Sequence, residues 1–217
     1  VRLLAKRRAL HETSAQGYRL AAYDELPRTG LPEMFKTQAE YDDYVSLLVE
    51  ARIIEDSSYV WWAVRPSRKF PTLQLRAPDS CTHLDDSLAI AALYRSMVRY
   101  LLRHPDYRSD LSPLSRAVAQ ENKWRAQRYG IHGSFVDEER RATVSIADLV
   151  RETVAMLEED AEALGCSEDL ARCLDISARG TSADGQLMVW KSALGLAETP
   201  HDALRAVKTW IAHQTLQ

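Results

Sequence analysis

The side chains best suited to chemistry lie on a short segment near the middle of the chain. The stretch KFPTLQLRAPDSC, residues 69–81, alternates polar and apolar side chains as a β-strand does. In this pattern Thr72, Gln74 and Arg76 share one face, and the leucines face the other way. The polar face is therefore either a solvated surface or the wall of a binding site.

A second segment predicts a partner for this strand. The stretch SSYVWWAVR, which ends at Arg65, is rich in aromatic and β-branched residues, and PSRKFP is typical of a turn. Two strands joined by so few residues favour an antiparallel pair, in which Arg65 and Arg76 can lie close together. Neighbouring arginines repel each other unless an anion lies between them.

Two interpretations of this arginine pair remain open. A phosphate or carboxylate ligand would suit it, because a guanidinium group binds such oxyanions through two hydrogen bonds. Alternatively, each arginine pairs with a local acid and has only a structural role. The candidate acids in the sequence are Asp79, Asp85 and Asp86.

Two further segments could bind an anionic ligand. In QENKWRAQRYG, a helical pattern places Asn122, Arg125 and Arg128 on one face, which could hold phosphate or be an ordinary solvated surface. We expect Trp124 to pack inward. In YRLAAYDELPRTGLP, a loop-like segment, Arg19 and Arg28 could bind a substrate or lie on the surface.

The remaining pattern is mainly helical. Helices are predicted from the capping box formed by Thr37 and Glu40, and from Leu84 to His104 after a cap that resembles Thr82 with Asp85. Further helices are predicted at Ser112–Gly130, Ser145–Gly165, from Ser167 through Ile176, in a segment ending near Leu196, and from Thr199 onward. HGSFVDEERRATV indicates a hairpin. The predicted fold class is α+β, with short, mainly antiparallel strands packed against a predominant set of helices.

Bulk composition excludes several classes of protein. The 217 residues are 46% hydrophobic and 27% charged, with a net charge of −3, which is typical of one good-sized soluble domain or two small ones. This charge does not indicate binding to nucleic acid or to a membrane. The cysteines, Cys81, Cys166 and Cys173, are odd in number and lack zinc-like spacing, so we expect free thiols in a reducing cytoplasm.

Four segments, in this order, resemble one known family. They are YRLAAYDELPRTGLPEMF, VWWAVRPSRKFPTLQLRAPDSCTHLDDSLAIAALYRSMVRYL, ENKWRAQRYGI and RGTSADGQ. The chain is similar to the C-terminal half of the type-two glutamate–cysteine ligases, also called carboxylate-amine ligases. The resemblance covers residues 17–217 and leaves residues 1–16 as an atypical N-terminal segment.

The resemblance implies a fold and an activity. The implied fold is part of a glutamine-synthetase-like or guanido-kinase-like domain, with a curved, mainly antiparallel sheet and helices outside it. The implied activity is ATP-dependent ligation of glutamate to an amine such as cysteine, through an acyl phosphate and with Mg²⁺ on the phosphates. The implied location is the cytoplasm.

The resemblance also assigns roles to residues. Arg76 and Arg65 would be catalytic and would face the nucleotide phosphates, and Asn122, Arg125 and Arg128 would bind the cofactor. Gln74 occupies a position where the family typically has a glutamate that binds magnesium. A neutral amide oxygen binds a hard cation more weakly than a carboxylate does.

The resemblance does not include the family's N-terminal half, which carries most of the metal-binding carboxylates. We therefore expect the chain to be truncated, and weakly active or inactive alone. The alternative is a catalytically incompetent structural subunit, which would complete a sheet with an N-terminal partner chain or form a homodimer.

Overall fold

A computed structural model of the protein describes residues 18–196 and 199–216, and the predicted N-terminal segment 1–16 lies outside these residues. The described chain divides into two compact units. The smaller unit is Tyr18–Asp79, and the larger unit holds the described residues from Ser80 onward.

The smaller unit is built from short elements. They are the helices α1 (Tyr18–Tyr23) and α2 (Gln38–Glu50), a 3₁₀ helix (Ser57–Tyr59), and the strands β1 (Val64–Pro66) and β2 (Leu73–Leu75). The predicted cap of α2 is confirmed, since the Thr37 hydroxyl accepts a hydrogen bond from the Glu40 amide at 3.2 Å. The Glu40 carboxylate accepts a hydrogen bond from the amide of Lys36, one residue before the expected donor.

The strands β1 and β2 pair antiparallel, as predicted, with Arg65 opposite Gln74. The prediction of a strand beginning at Ser57 is wrong. The Asp56 carboxylate accepts a hydrogen bond from the Ser58 amide at 2.7 Å and starts a 3₁₀ turn instead.

Residues 61–63 are held against a loop, not within a sheet. The amide of Trp61 donates to the carbonyl of Arg28 at 2.8 Å, and the amide of Ala63 donates to that of Gly30 at 2.7 Å. Arg28 has a positive φ of 58°, and its Nε donates to the Tyr59 carbonyl at 3.1 Å. The loop that contains Arg28 is therefore fixed alongside the chain that leads into β1.

The core of the smaller unit is largely aromatic. Ile54, Val60 and Trp62 are buried. The ring of Trp62 stacks on that of Tyr44, with 5.8 Å between centroids and 14° between planes. This packing of α2 against Trp62 supports the segment from which β1 begins.

The larger unit is mainly helical. Its helices are α3 (Leu84–Arg103), α4 (Pro113–Tyr129), a 3₁₀ helix (Gly130–His132), α5 (Ile146–Met156), α6 (Glu158–Ala163), α7 (Ser167–Arg179), α8 (Ser182–Leu194) and α9 (Pro200–Thr215). The predicted hairpin is confirmed as β3 (Ser134–Asp137) paired antiparallel with β4 (Ala142–Ser145). Both units together confirm the predicted α+β class.

The core of the larger unit joins α3 to α6 and α7. Its buried side chains include Leu157, Ala161 and Leu170. The helix predicted from Ser145 to Gly165 is interrupted at Leu157, which has φ −97° and ψ 3° and is fully buried. The break places α5 and α6 as separate helices around one buried leucine.

Of two predicted helix caps in this unit, one is confirmed and the other is wrong. Ser112 caps α4, and its hydroxyl accepts a hydrogen bond from the amide of Ser115 at 3.2 Å, as predicted. The predicted cap at Thr82 is wrong, because α3 begins at Leu84 and its N-cap is the extended residue His83.

Within the described ranges, no helix combines the length and apolar character needed to cross a membrane. In the same part of the chain, the three cysteines form no disulfide.

Candidate anion-binding site

Arg65 and Gln74 form a cross-strand pair. They are opposite each other in the register of β1 and β2, and Arg65 Nε donates to Gln74 Oε1 at 2.9 Å. The pairing places Arg65 and Gln74 on the same face of the two strands. The contact uses one of the two lone pairs of the amide oxygen.

The other bonds of Arg65 go to the backbone. Its Nη1 donates to the carbonyl oxygens of Ser58 and Val60, the latter at 2.7 Å. Asp56, the closest acid in sequence, pairs with Arg68 instead. Among the described residues, no carboxylate lies within ion-pair distance of the Arg65 guanidinium.

The charge of Arg65 is destabilised by its surroundings. Burial lowers the pKa of Arg65, and the nearby positive charge of Arg76 lowers it further. The charges of the two guanidinium groups therefore act on each other. An anion beside them would reverse the effect.

Arg76 lies directly after β2 and packs on an aromatic ring. Its amide donates to the carbonyl of Ala63 at 2.7 Å, which extends the strand pairing by one residue. Its Nη2 donates to the hydroxyl of Tyr23 at 3.3 Å, and the guanidinium carbon is 5.9 Å from the Tyr23 ring centroid. Its Nε is buried and has no acceptor in the described part of the chain.

Arg19, on α1, completes this group. Its Nη2 donates to the carbonyl of Arg76 at 2.8 Å, and its guanidinium carbon lies 5.1 Å from the Tyr23 ring centroid. Its Nη1 is 3.7 Å from Asp79 Oδ1, which is an ion pair too long for a hydrogen bond. The sequence pattern named Arg19 as a candidate but missed Tyr23, although the spacing of four residues on a helix could have indicated the contact.

The acids that were expected to neutralise the arginine pair are engaged elsewhere. Asp85 pairs with Arg172 at 2.7 Å, and Asp86 pairs with Arg179. Asp79 pairs with Arg19. None of these three acids therefore forms an ion pair with Arg65 or Arg76, and anion binding by the two arginines stays a prediction.

The second predicted cluster, on α4, holds a strand. Asn122 exchanges two hydrogen bonds of 2.8 Å with the backbone of Val136 on β3. Arg125 donates to the carbonyl and the hydroxyl of Ser134 and lies 3.8 Å from the Glu121 carboxylate. These contacts give Asn122 and Arg125 a structural role, and their role in cofactor binding stays a prediction.

Arg128 and Trp124 lie on a different part of α4. The guanidinium carbon of Arg128 is 5.9 Å from the ring centroid of Tyr129. The role of Arg128 in cofactor binding stays a prediction. The inward packing expected for Trp124 is wrong. Its side chain is 49% exposed and meets Tyr129 edge to face, because Asn122 and Arg125 occupy the face turned toward β3.

The donor set around Gln74 does not fit a magnesium ion. The amide oxygen accepts a hydrogen bond from Arg65, whose positive charge would repel a cation at that distance. In the ranges that the structure describes, no group of three or more His, Cys, Asp or Glu side chains could hold a metal. Arg19, Arg65 and Arg76, together the arginine cluster, are positively charged and fit an oxyanion better than a metal ion.

Comparisons with known proteins identify the family. The sequence profile of glutamate–cysteine ligase family 2 matches residues 11–209. A protein named "Putative glutamate--cysteine ligase 2" from Bradyrhizobium sp. (strain ORS 278) is 48% identical over 205 residues, which cover 94% of this chain and 48% of that protein.

More distant relatives carry the same name. The Rhodospirillum rubrum protein is 42% identical over 94% of this chain and 53% of its own length, and the Roseiflexus castenholzii protein is 37% identical over 82% and 47%. The chain thus spans about half the length of the curated relatives it matches. The match over residues 11–209 and these identities show that the chain belongs to glutamate–cysteine ligase family 2.

Proposed function

We propose that this chain contributes phosphate-binding arginines to an ATP-dependent carboxylate–amine ligase. The observation that carries the proposal is the strand register, which puts Arg65 opposite Gln74, two residues before Arg76, with no carboxylate within ion-pair distance of either arginine in the described residues. Family membership supports a ligase activity. Two neighbouring guanidinium groups that lack an acid partner are suited to the polyphosphate of a nucleotide.

The proposed reaction has two steps. The γ-carboxylate of glutamate attacks the γ-phosphorus of ATP, which forms an acyl phosphate and releases ADP. The amine of the second substrate, such as cysteine, then attacks the acyl carbon, so that an amide forms and inorganic phosphate leaves. The amine proton that is lost passes to solvent or to a base.

Arg76 and Arg65 would act through charge in the first step. Negative charge accumulates on the phosphoryl oxygens during transfer, and fixed guanidinium groups stabilise it without reorganising. The hydrogen bonds of Arg65 to the carbonyl oxygen of Val60 and to Gln74 fix its orientation in advance. Arg76 is oriented by Tyr23 in the same way.

Magnesium has a limited place in this proposal. The ion would enter with ATP as its counter-ion and would neutralise phosphate charge there. Gln74 would offer it at most one neutral oxygen, next to the guanidinium of Arg65. The described residues around Arg65 and Arg76 thus supply the positive charge of the proposed site and not its metal ligands.

Nucleotide binding tests the proposal directly. We expect Arg76→Gln to weaken binding of ATP by about tenfold or more, because it removes a charge-assisted hydrogen bond worth roughly 1.5–3 kcal/mol. Isothermal titration calorimetry of the full chain with ATP and magnesium measures the change. A parallel assay of phosphate release with ATP, magnesium, glutamate and cysteine shows whether this chain alone turns over.

The control for this experiment is Arg68→Gln. Arg68 is an exposed arginine of the same unit, and its partner is Asp56. Equal ATP affinity of wild type and Arg76→Gln, with Arg76→Gln folded by circular dichroism, would remove Arg76 from nucleotide binding.

A second candidate function has one observation in its favour. The β1–β2 pair has only two strands within the described residues, and Phe70 before β2 and Leu73 in β2 are 66% and 49% exposed. A two-stranded sheet is marginal alone, so a structural subunit could complete it with strands of a partner chain or of a second copy. Sedimentation of the chain distinguishes this candidate, since a self-associating subunit that binds no ATP would favour it.

A further inference from the structure

Arg19, Tyr23 and Arg76 form a compact group, and Arg19 has no role in the proposed phosphate site. Both guanidinium groups lie against the Tyr23 ring, and Arg76 also donates to its hydroxyl. Arg19 donates to the carbonyl of Arg76 at 2.8 Å. These contacts fix the two arginines relative to each other although α1 and β2 are distant in sequence.

Two N–H groups of this cluster lack an acceptor. Arg19 Nη1 and Arg76 Nε are buried and have no hydrogen-bond partner in the part of the chain that the structure describes. A buried charged donor without an acceptor is unfavourable, and native proteins rarely leave one unexplained. Two such donors on neighbouring like charges call for an oxyanion.

Asp79 is the carboxylate that pairs with Arg19. Its Oδ1 is 3.7 Å from Arg19 Nη1, which is close enough for charge compensation and too far for a hydrogen bond. Its side chain is 44% exposed and that of Arg19 is 38% exposed, so this side of the cluster opens to solvent. Burial raises the pKa of Asp79, and the positive charge of Arg19 only partly offsets this.

We propose that Arg19 and Arg76 form a second anion subsite, which takes the oxyanion of a substrate carboxylate or phosphoryl group, and that Asp79 is displaced when this anion binds. Tyr23 is a positioning residue that holds both guanidinium groups. The inference rests on the proposed function only in assigning the anion to a substrate of the ligase. Asp79 acts as a competitor for Arg19, since an ion pair at 3.7 Å is replaced by shorter hydrogen bonds to the ligand.

Calorimetric titration of the full chain with L-glutamate and, separately, with inorganic phosphate tests the subsite and distinguishes the two sources of the anion. We expect wild type to bind one of them, Arg19→Gln to bind it about tenfold or more weakly, and Asp79→Asn to bind it severalfold more tightly. Arg68→Gln, which changes an exposed arginine paired with Asp56, should bind as wild type does.

Variants of Tyr23 test its positioning role. Tyr23→Leu should lose most of the anion affinity, whereas Tyr23→Phe should retain a larger share, because it keeps the ring under both guanidinium groups and loses only the hydroxyl acceptor of Arg76. Equal losses in the two variants, with equal melting temperatures, would overturn the positioning role.

The outcomes separate this inference from the proposed function. Unchanged anion affinity in a folded Arg19→Gln chain, or no binding of either anion by wild type at millimolar concentration, overturns the subsite. If Arg19→Gln does not fold, Asp79→Asn decides, and an affinity no higher than that of wild type overturns it. If Arg76→Gln loses ATP affinity while Arg19→Gln keeps its anion affinity, the proposed function stands and the subsite does not. If Arg19→Gln loses anion affinity while Arg76→Gln keeps its ATP affinity, the subsite stands and the proposed function does not.

Discussion

Hydrogen bonding at single residues distinguishes an arginine that holds the fold from one that is available to a ligand. Arg125 donates two hydrogen bonds to Ser134, while Arg76 keeps a buried Nε without an acceptor in the described ranges. The sequence named both arginines as candidates for binding an anionic ligand. The difference depends on which carbonyl and carboxylate oxygens the fold brings near, and neighbouring residues in the sequence do not reveal this.

The pair of Arg65 and Gln74 leads to a prediction at the residue scale. Gln74→Glu should form an ion pair with Arg65 in place of the present hydrogen bond, and so raise the free energy of unfolding by up to about 1 kcal/mol. It should also weaken ATP binding, because the new carboxylate neutralises Arg65. Chemical denaturation and calorimetry measure the two effects.

Gln74→Leu is the matched control, since it removes the amide oxygen without adding charge. Tighter magnesium binding by Gln74→Glu in the absence of nucleotide would contradict this expectation. That result would instead support the role of metal ligand that the family resemblance assigns to position 74.

Among the elements, those with local signals were predicted well and those set by distant contacts were not. Thr37 and Ser112 were identified as caps because the cap hydroxyl and the backbone amide that donates to it lie within one helical turn. The 3₁₀ helix at Ser57–Tyr59 was missed because aromatic residues there suggested a strand. In the fold, Trp62 of the same segment packs on α2 and does not lie in a sheet.

The link between α4 and β3 leads to a prediction at the element scale. Asn122→Leu should lower the free energy of unfolding by about 1–3 kcal/mol, because the amide and the carbonyl of Val136 would both lose their side-chain partner. Thermal and urea denaturation measure the change. Gln120→Leu, an exposed amide on the same helix, should have little effect.

This variant also tests the predicted cofactor role of Asn122. A fall in ATP affinity with unchanged stability would assign Asn122 to ligand binding and refute the structural role. A fall in stability with unchanged affinity at a temperature where the variant is folded would confirm the structural role.

In the molecule as a whole, the family and the α+β class were predictable, and the division into units was not. The quoted segments carry the family resemblance through residue types alone, which is why it holds across both units. The sequence predicted a single catalytic half-domain, which stays a prediction, and it gave no boundary between compact units. Contact between distant segments decides where one compact unit ends, and a single sequence gives little information about it.

A buried ion-pair network in the larger unit predicts how stability responds to pH. Asp160 is almost fully buried, and its Oδ1 accepts hydrogen bonds from both Arg99 and Arg103. Burial alone would raise the pKa of Asp160, but the hydrogen bonds from Arg103 and Arg99 outweigh it, so the pKa lies below its usual value. Stability from this network is present above the pKa of an unfolded aspartate, about 3.9, and is lost as pH falls through the folded pKa.

Asp160→Asn tests this dependence. We expect it to lower the melting temperature by several degrees at pH 7, and to make the loss of stability between about pH 5 and pH 2 shallower than in wild type. Scanning calorimetry across this pH range measures both. Glu152→Gln, which removes an exposed ion pair with Arg140, should change the melting temperature little, and an equal effect of the two variants would contradict the prediction.

The double attachment of residues 28 and 30 to residues 61 and 63 has a practical consequence for engineering. An extra residue inside this loop would change the spacing of the two carbonyl groups, so that both backbone hydrogen bonds could not form together. The loop is therefore a poor place for a tag or a fluorescent label. The tip between β3 and β4, where Glu139 and Arg141 are exposed, is the better attachment point. A probe placed there would leave the arginine cluster chemically intact.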